Sequence, residues 1–183
     1  LVGKVYGVPC YQLLGGKYRD RVRLYADTPE PEEPTPEGYA ERVKGRMDLG
    51  LTFIKFDIRM PGYDQRGDYL IGTPTEHEWL SSWNTAPGSG QGTILTDSGI
   101  ARMAEVVAAV REAVGWEISL CTDHFGHGMM TAKEVIRLAN AVESYGLAWL
   151  EDPMPWWDID GHKRVTDAIN VPICAGEELY LWD

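Results

Sequence analysis

The chain has 183 residues, of which 44% are hydrophobic and 25% are charged, and its formal net charge at pH 7 is −11. These values are ordinary for a globular protein that is long enough to bury a core. No apolar run approaches the roughly eighteen residues of a membrane-spanning helix. The acidic balance and the lack of a basic stripe argue against nucleic-acid binding.

The printed sequence begins with Leu1 rather than Met and has no basic and then apolar leader. We therefore expect a segment of a longer protein, without a signal peptide. Cys10, Cys121 and Cys174 form no CxxC pair and have no metal-ligand spacing. We expect them to be buried free thiols in a reducing compartment, which indicates a cytoplasmic protein.

The first part of the chain predicts a strand, a helix and a second strand. Residues 21–26 (RVRLYA) are typical of a strand, and a Pro- and Glu-rich loop follows them. Thr35 and Pro36 predict a helix N-cap with proline at the first helical position. Apolar residues then recur every four positions until Gly50 predicts the helix end. Residues 52–58 (TFIKFDI) predict the second strand.

Residues 60–95 form the least regular stretch, rich in Gly, Pro, Ser, Thr and Asn but containing two tryptophans. A long irregular segment inside a compact domain is usually a lid, a binding loop or disordered. The aromatic residues favour a lid, because a disordered linker carries few of them.

Helices and strands alternate again after this stretch. One helical face carries Met103, Val106, Val107, Val110 and Val114, and Gly115 predicts its end. The residues from Thr131 to Glu134 predict a capping box at the start of another helix. The other elements are predicted as strands at 117–122, 147–150 and 171–175 and a helix at 160–169.

Alternating strands and helices predict a parallel sheet with right-handed crossovers. Two architectures fit this order: an open doubly wound sheet, or part of a (β/α)₈ barrel. No glycine-rich nucleotide-binding motif follows any of the strands. We therefore expect the barrel.

Three of the predicted strands end in a carboxylate: Asp123, Glu151 and Glu177, separated by 28 and 26 residues. The carboxyl ends of parallel barrel strands meet at one rim, so the three side chains are expected to lie side by side. Adjacent like charges in a partly desolvated site recruit a cation or a proton, and Mg²⁺ prefers oxygen ligands. Any one of these acids could also be an ordinary strand-end or helix-capping group. We expect Asp152 to cap the turn before Pro153.

The segments 122–124 (TDH), 150–153 (LEDP) and 175–177 (AGE), at this spacing, resemble the mandelate racemase subgroup of the enolase superfamily. The opening residues 3–16 (GKVYGVPCYQLLGG) resemble the segment that leads into the barrel of that family. The resemblance covers the chain except for the loop at 60–95. It implies a (β/α)₇β barrel, with residues 1–20 as the lead-in from a capping domain and residues 21–183 as the N-terminal and central part of the barrel.

The resemblance also implies that Asp123, Glu151 and Glu177 bind Mg²⁺. The shared chemistry of the family is removal of a proton α to a carboxylate, with the enediolate stabilised by the metal. The acid and base residues then decide between racemisation, cycloisomerisation and loss of a β-hydroxyl group.

The second strand departs from the Lys-x-Lys pattern of the racemases in this subgroup. Lys55 matches the first lysine, but Asp57 stands at the second position. A two-base racemase that uses this second lysine is therefore disfavoured. Lys55 is a candidate for catalysis and, with Arg59, for binding of the substrate carboxylate. Lys55 could equally be a strand charge that reaches solvent at the rim.

Two histidines follow the first predicted metal ligand. Acid-sugar dehydratases of the subgroup often have a histidine two residues after this aspartate, where this chain has Phe125. His127, after a glycine, is the first candidate to protonate the departing hydroxyl, and His124 is the second. Surface histidines are the plain alternative. Trp156 lies just beyond the rim and could line a sugar pocket or cover the barrel edge.

These features predict a Mg²⁺-dependent dehydratase that converts an aldonate or aldarate to a 2-keto-3-deoxy acid. The rival predictions are a racemase or epimerase, a barrel glycoside hydrolase that needs no metal, and a metal-stabilised or carbohydrate-binding barrel without catalysis. Only five strands are predicted where a closed barrel has about eight. We therefore expect the isolated segment to be inactive. We also expect the full-length protein to be a homo-oligomer.

Overall fold

The computed structural model describes residues 1–58, 70–71, 94–123 and 130–177. The described residues contain six strands: β1 Phe53–Asp57, β2 Leu70–Ile71, β3 Ile94–Leu95, β4 Ser119–Asp123, β5 Leu147–Glu151 and β6 Ile173–Cys174. They also contain six α-helices: α1 Val2–Tyr6, α2 Cys10–Leu13, α3 Pro36–Asp48, α4 Asp97–Val114, α5 Ala132–Val142 and α6 Ile159–Ala168. A 3₁₀ turn, Glu143–Tyr145, follows α5.

The central sheet is parallel, with the strand order β1-β4-β5-β6. Each neighbouring pair of strands is connected through a helix, and each helix from α3 to α6 packs against the next. This is the predicted α/β arrangement, part of a TIM-type barrel, and in the described residues it is an open sheet. Among the described helices, none is both long and apolar enough to cross a lipid bilayer.

Short polar side chains begin the main helices, as their positions in the sequence predict. Thr35, Thr96 and Thr131 each accept a hydrogen bond from a backbone N–H three residues later. Thr131 Oγ1 also donates a hydrogen bond to the Glu134 carboxylate, so the two residues of the predicted capping box are in contact. Asp158, which the sequence did not single out, caps α6 in the same manner.

The core lies between the sheet and the helices. The predicted apolar face of α4 is buried along its whole length, from Met103 to Val114. The sheet contributes residues that alternate along each strand, because successive side chains of a strand point to opposite faces. Those of the helix-covered face are fully buried: Ile54, Phe56, Leu120 and Leu150.

The predicted first strand, residues 21–26, is wrong. Only Ala26 bridges β1, opposite Ile54, and residues 21–25 are exposed. Three backbone hydrogen bonds tie residues 26–28 to β1, at 2.7 to 3.2 Å. Apolar and aromatic side chains in this segment favour a strand, but in the described chain only Ala26 has a bridge partner, so no ladder forms along residues 21–25.

Within the stretch 60–95, β2 and β3 pair antiparallel, and the other residues of this stretch, with the predicted lid, lie outside the described residues. Two further expectations need correction. The fifth predicted strand, 171–175, shortens to β6 at the edge of the described sheet. Cys121 is buried as expected, but Cys10 and Cys174 are exposed. Cys10 lies on a short helix with no buried residue, and Cys174 lies on that edge strand.

Candidate metal centre

Carboxylates end three neighbouring strands on the face of the sheet that the helices do not cover. Strands β1 and β4 pair so that Asp57 lies opposite Asp123. Glu151 ends β5 and pairs with Cys174 of β6. Because the strands are parallel, their carboxyl ends share one rim, where barrel enzymes place their active sites.

Lys55 lies among these acids. Its Nζ donates a hydrogen bond to Asp123 Oδ2, lies 3.3 Å from Glu151 Oε1 and is 3.9 Å from Asp27 Oδ1. Lys55 and Asp123 are only 8% and 5% exposed. The carboxylates of Asp123 and Glu151 repel each other, and burial strengthens this repulsion because little water screens it. The ammonium group of Lys55 lies next to both and offsets the repulsion.

The electrostatic environment holds the Lys55 side chain in its charged form. Burial by itself would lower the pKa of Lys55. The hydrogen bond to Asp123 and the charges of Asp123 and Glu151 outweigh burial and raise this pKa above its ordinary value. Lys55 is therefore a fixed positive charge at the rim, which is suited to binding an anionic group.

Within the described part of the chain, two groups of acidic residues could hold a metal ion. One contains Asp123, Glu151 and Asp152, with one ligand atom from each residue lying within 4.8 Å of the others. The other contains Asp27, Asp57 and Asp123 under the same limit. Both donor sets consist only of carboxylate oxygens, which fits a hard divalent cation such as Mg²⁺ rather than a softer metal.

Asp152 is more than the turn cap that the sequence suggested. It is 6% exposed and its backbone has φ +42°, in the left-handed region that non-glycine residues rarely occupy. Its N–H donates a hydrogen bond to the Cys174 carbonyl at 2.9 Å. The backbone therefore turns sharply after Glu151 while it stays bonded to β6.

Glu177 is placed differently from the other two predicted ligands. It follows β6, is exposed, and belongs to neither of the two acidic groups found among the described residues. Asp123 and Glu151 are thus brought together, and the role of Glu177 as a third ligand stays a prediction.

Three of the other predicted site residues, His124, His127 and Arg59, lie outside the described residues. Trp156 is half-buried and packs edge-to-face on Trp157, with ring centroids 5.6 Å apart. This contact is compatible with either of the roles considered for Trp156, and its part in substrate binding stays a prediction.

The sequence reading missed Asp27 and Trp149 and gave Asp57 no ligand role. Asp57 ends β1 and Asp27 follows the extended residue Ala26, so the rule of acids at strand ends would have found both. Trp149 donates its indole N–H to Glu151 Oε2 at 2.8 Å. Its position two residues before a strand-end acid was the available signal, because such residues share one face of the sheet.

The site also affects two cysteines. Burial raises the pKa of the Cys121 thiol, and the negative charge of Glu151 raises it further. Burial, Glu151 and Asp152 raise the pKa of the Cys174 thiol in the same direction. Both side chains are therefore neutral thiols at physiological pH, and neither is an activated nucleophile.

A parallel α/β sheet with a cluster of carboxylates at the carboxyl ends of its strands defines a class: a TIM-type barrel domain with a candidate metal centre at its rim. The chain belongs to the enolase C-terminal domain-like family, whose model matches residues 38–183.

Named relatives and solved structures agree with this assignment. The chain is 34% identical over 184 residues to D-xylonate dehydratase of Haloferax volcanii, and the match covers 98% of this chain and 38% of that protein. It is 28% identical over 179 residues to D-gluconate dehydratase of Thermoproteus tenax, covering 98% and 30%. A crystal structure of an enolase superfamily member from Salmonella Typhimurium matches with a TM-score of 0.73 at 26% identity, covering 98% and 43%.

The chain spans less than half the length of each of these relatives. The described site contains the strand-end carboxylates and Lys55. Residues from the rest of a full-length protein are not part of the described site.

Proposed function

We propose that the protein containing this chain is a Mg²⁺-dependent acid-sugar dehydratase that converts an aldonate or aldarate to a 2-keto-3-deoxy acid. The observation that carries this proposal is the close placement of Asp123, Glu151 and Lys55 at the strand ends. The dehydratase names of the two relatives support the same reaction class.

Asp123 and Glu151, with Glu177 as the third predicted ligand, would hold the metal ion. When bound, a divalent cation supplies positive charge that stabilises the negative charge developing on the substrate carboxylate. Lys55 contributes a second positive charge beside the same rim. It is suited to orient the substrate carboxylate, so that the neighbouring C–H bond faces the base.

The overall reaction is a β-elimination of water. A base takes the proton α to the carboxylate, the β-hydroxyl leaves as water after it receives a proton, and the resulting enol becomes the 2-keto acid. We assign proton delivery to His127, with His124 as the alternative, because the pKa of imidazole suits proton transfer near pH 7. Arg59 is proposed to assist Lys55 in binding the substrate carboxylate, and Trp156 is proposed to line the sugar pocket.

The racemase alternative has less support. Asp57, and not a second lysine, lies on β1 beside Asp123. A carboxylate at this position adds negative charge where a racemase of this pattern would place a basic side chain.

The test is a screen of the full-length protein against a panel of aldonates and aldarates, with semicarbazide detection of 2-keto acid. We expect product from at least one substrate, loss of activity in EDTA and recovery with Mg²⁺. Glu151→Gln is expected to abolish turnover, and the matched variant Glu117→Gln, at an exposed residue before β4, is expected to retain it.

Three outcomes would overturn the proposal. Keto acid from no member of the panel would exclude the dehydratase. Incorporation of deuterium from D₂O into unchanged substrate, without keto acid, would indicate the racemase or epimerase. Full activity in EDTA would favour a metal-independent barrel hydrolase.

A further inference from the structure

Trp149 makes a directional contact with the candidate metal centre. It lies two residues before Glu151 on β5, so the two side chains project from the same face of the strand. The indole Nε1–H donates a hydrogen bond to Glu151 Oε2 at 2.8 Å. The acceptor is a carboxylate, which makes this bond stronger than one between neutral groups.

The two oxygens of Glu151 have different neighbours. Oε2 accepts the bond from Trp149, whereas Oε1 lies 3.3 Å from Lys55 Nζ, on the side of Asp123. The last torsion of a glutamate side chain has broad minima, so the carboxylate plane is set mainly by its partners. The indole N–H therefore helps to set the orientation of the carboxylate plane, so that one oxygen faces Lys55 and Asp123.

The indole is itself held by two other aromatic rings. Phe53 of β1 packs on it at a centroid separation of 5.1 Å and an interplanar angle of 67°. Tyr25 packs on it edge-to-face at 5.9 Å and 81°. These tilted and edge-to-face arrangements are the favoured geometries for aromatic pairs. Both contacts restrict movement of the Trp149 ring away from this position.

We propose that Trp149 is a positioning residue that orients the Glu151 carboxylate for a divalent cation, and that Phe53 and Tyr25 hold the indole in place. This inference rests on the proposed function, because it takes Glu151 as a metal ligand. Groups that hydrogen-bond to metal ligands typically change metal affinity by roughly 10–100-fold when they are removed.

The experiment is titration calorimetry of Mg²⁺ into the full-length protein and its variants. Trp149→Phe keeps an aromatic ring for packing but removes the donor, and we expect Mg²⁺ to bind roughly 10–100-fold more weakly. Trp116→Phe is the matched control, because Trp116 is exposed and packs on Arg111 rather than on the site. It is expected to bind Mg²⁺ like the wild type.

A second measurement separates positioning from general damage. In Trp149→Phe, we expect the Mg²⁺ concentration for half-maximal activity to rise, with kcat restored at saturating Mg²⁺. A merely structural role would lower kcat without such rescue. If Trp149→Phe does not fold, Phe53→Leu decides, because it keeps the N–H but removes one supporting ring; we expect weaker Mg²⁺ binding there too.

The possible failures are distinguishable through Glu151→Gln. If Glu151→Gln binds Mg²⁺ like the wild type, the proposed metal site is overturned and this inference with it. If Glu151→Gln loses Mg²⁺ but Trp149→Phe binds it with unchanged affinity, only the positioning role of Trp149 is overturned. If Trp149→Phe does not fold, unchanged Mg²⁺ affinity in Phe53→Leu would likewise overturn the positioning role of Trp149.

Discussion

The two faces of the parallel sheet are built from neighbouring residues of the same strands, but their chemistry is opposite. The helix-covered face carries Ile54, Phe56, Leu120 and Leu150, all fully buried. The other face carries Lys55, Asp57, Asp123 and Glu151 at its rim, with Phe53 and Trp149 below them. Successive residues of one strand therefore alternate between core side chains and side chains of the candidate site, because they point to opposite faces of the sheet.

The covered face therefore contributes mainly to the folding free energy, and the face that the helices leave open carries the candidate ligand-binding groups. Burial of apolar side chains drives folding, whereas a cluster of like charges opposes it unless it is compensated. The open face is therefore the place where a substitution is expected to change binding more than folding. Lys55 is the exception, because its charge serves both.

The largest effect is expected for Lys55→Met. Removing a buried partner leaves the charges of Asp123 and Glu151 uncompensated, and losses of about 3–5 kcal/mol are typical for such changes. We expect the free energy of unfolding, measured by urea denaturation of the full-length protein without divalent cation, to fall by this order. Adding Mg²⁺ should restore part of the loss, since a ligand of the folded state stabilises it.

Lys163→Met is the control for Lys55→Met. Lys163 is exposed on α6 and pairs with Asp167 in solvent, so its removal is expected to change stability little. Unchanged stability of Lys55→Met without Mg²⁺ would show that the acids at the rim do not need this ammonium group.

The second prediction compares two adjacent residues of β5. Leu150→Ala leaves a cavity on the covered face, where such changes cost about 2–5 kcal/mol. We expect that loss in urea denaturation, with Mg²⁺ affinity of the folded protein unchanged in calorimetry. Glu151→Gln is expected to show the reverse: lost Mg²⁺ binding and a smaller change in unfolding free energy. If both variants lost both properties, the separation of the two faces would be wrong.

The sequence predicted the covered face well and the open face only in part. The spacing of Met103 to Val114 predicted a buried helix face, and Thr131 predicted a helix start, because both signals are local. Asp123 and Glu151 were found because strand ends mark the rim of a parallel sheet.

Other features depended on contacts between distant parts of the chain. The placement of Lys55 between two acids requires β1, β4 and β5 to be assembled, so the sequence left its role open. Residues 21–26 have the composition of a strand, but only Ala26 finds a bridge partner. The bond from Trp149 to Glu151 needs a side-chain direction that spacing alone does not give.

The third prediction concerns the end of the covered layer that lies away from the metal centre. Arg111 of α4 is 5% exposed, and burial lowers the pKa of its guanidinium. The guanidinium donates to four backbone carbonyls at 2.7 to 3.2 Å: those of Gly115, Ile118, Tyr145 and Gly146. Arg111→Lys cannot reproduce this fork, and we expect a loss of about 1–3 kcal/mol from unsatisfied carbonyls.

The measurement for Arg111→Lys is again urea denaturation, with Mg²⁺ calorimetry beside it. Metal affinity is expected to stay at the wild-type value, because none of the four carbonyl groups belongs to the rim. Arg102→Lys, which changes a more exposed arginine of the same helix paired with Glu105, is expected to have little effect. A fall in Mg²⁺ affinity in Arg111→Lys would show that the two ends of the sheet are coupled.

The smallest expected effect is a pH dependence of stability that comes from His162 on α6. Its Nε2 lies 3.2 Å from the Pro155 carbonyl. Burial lowers the pKa of His162, although the Pro155 carbonyl and the charge of Asp158 oppose this shift. The unfolded chain takes up a proton near the ordinary pKa of 6.5, whereas the folded protein resists it. The folded state therefore loses stability as the pH falls below that value.

We expect the melting temperature of the wild type to fall more steeply between about pH 7 and about pH 5 than that of His162→Gln, whose amide can still donate to Pro155. Parallel curves for the two proteins would mean that folding does not change the protonation of His162.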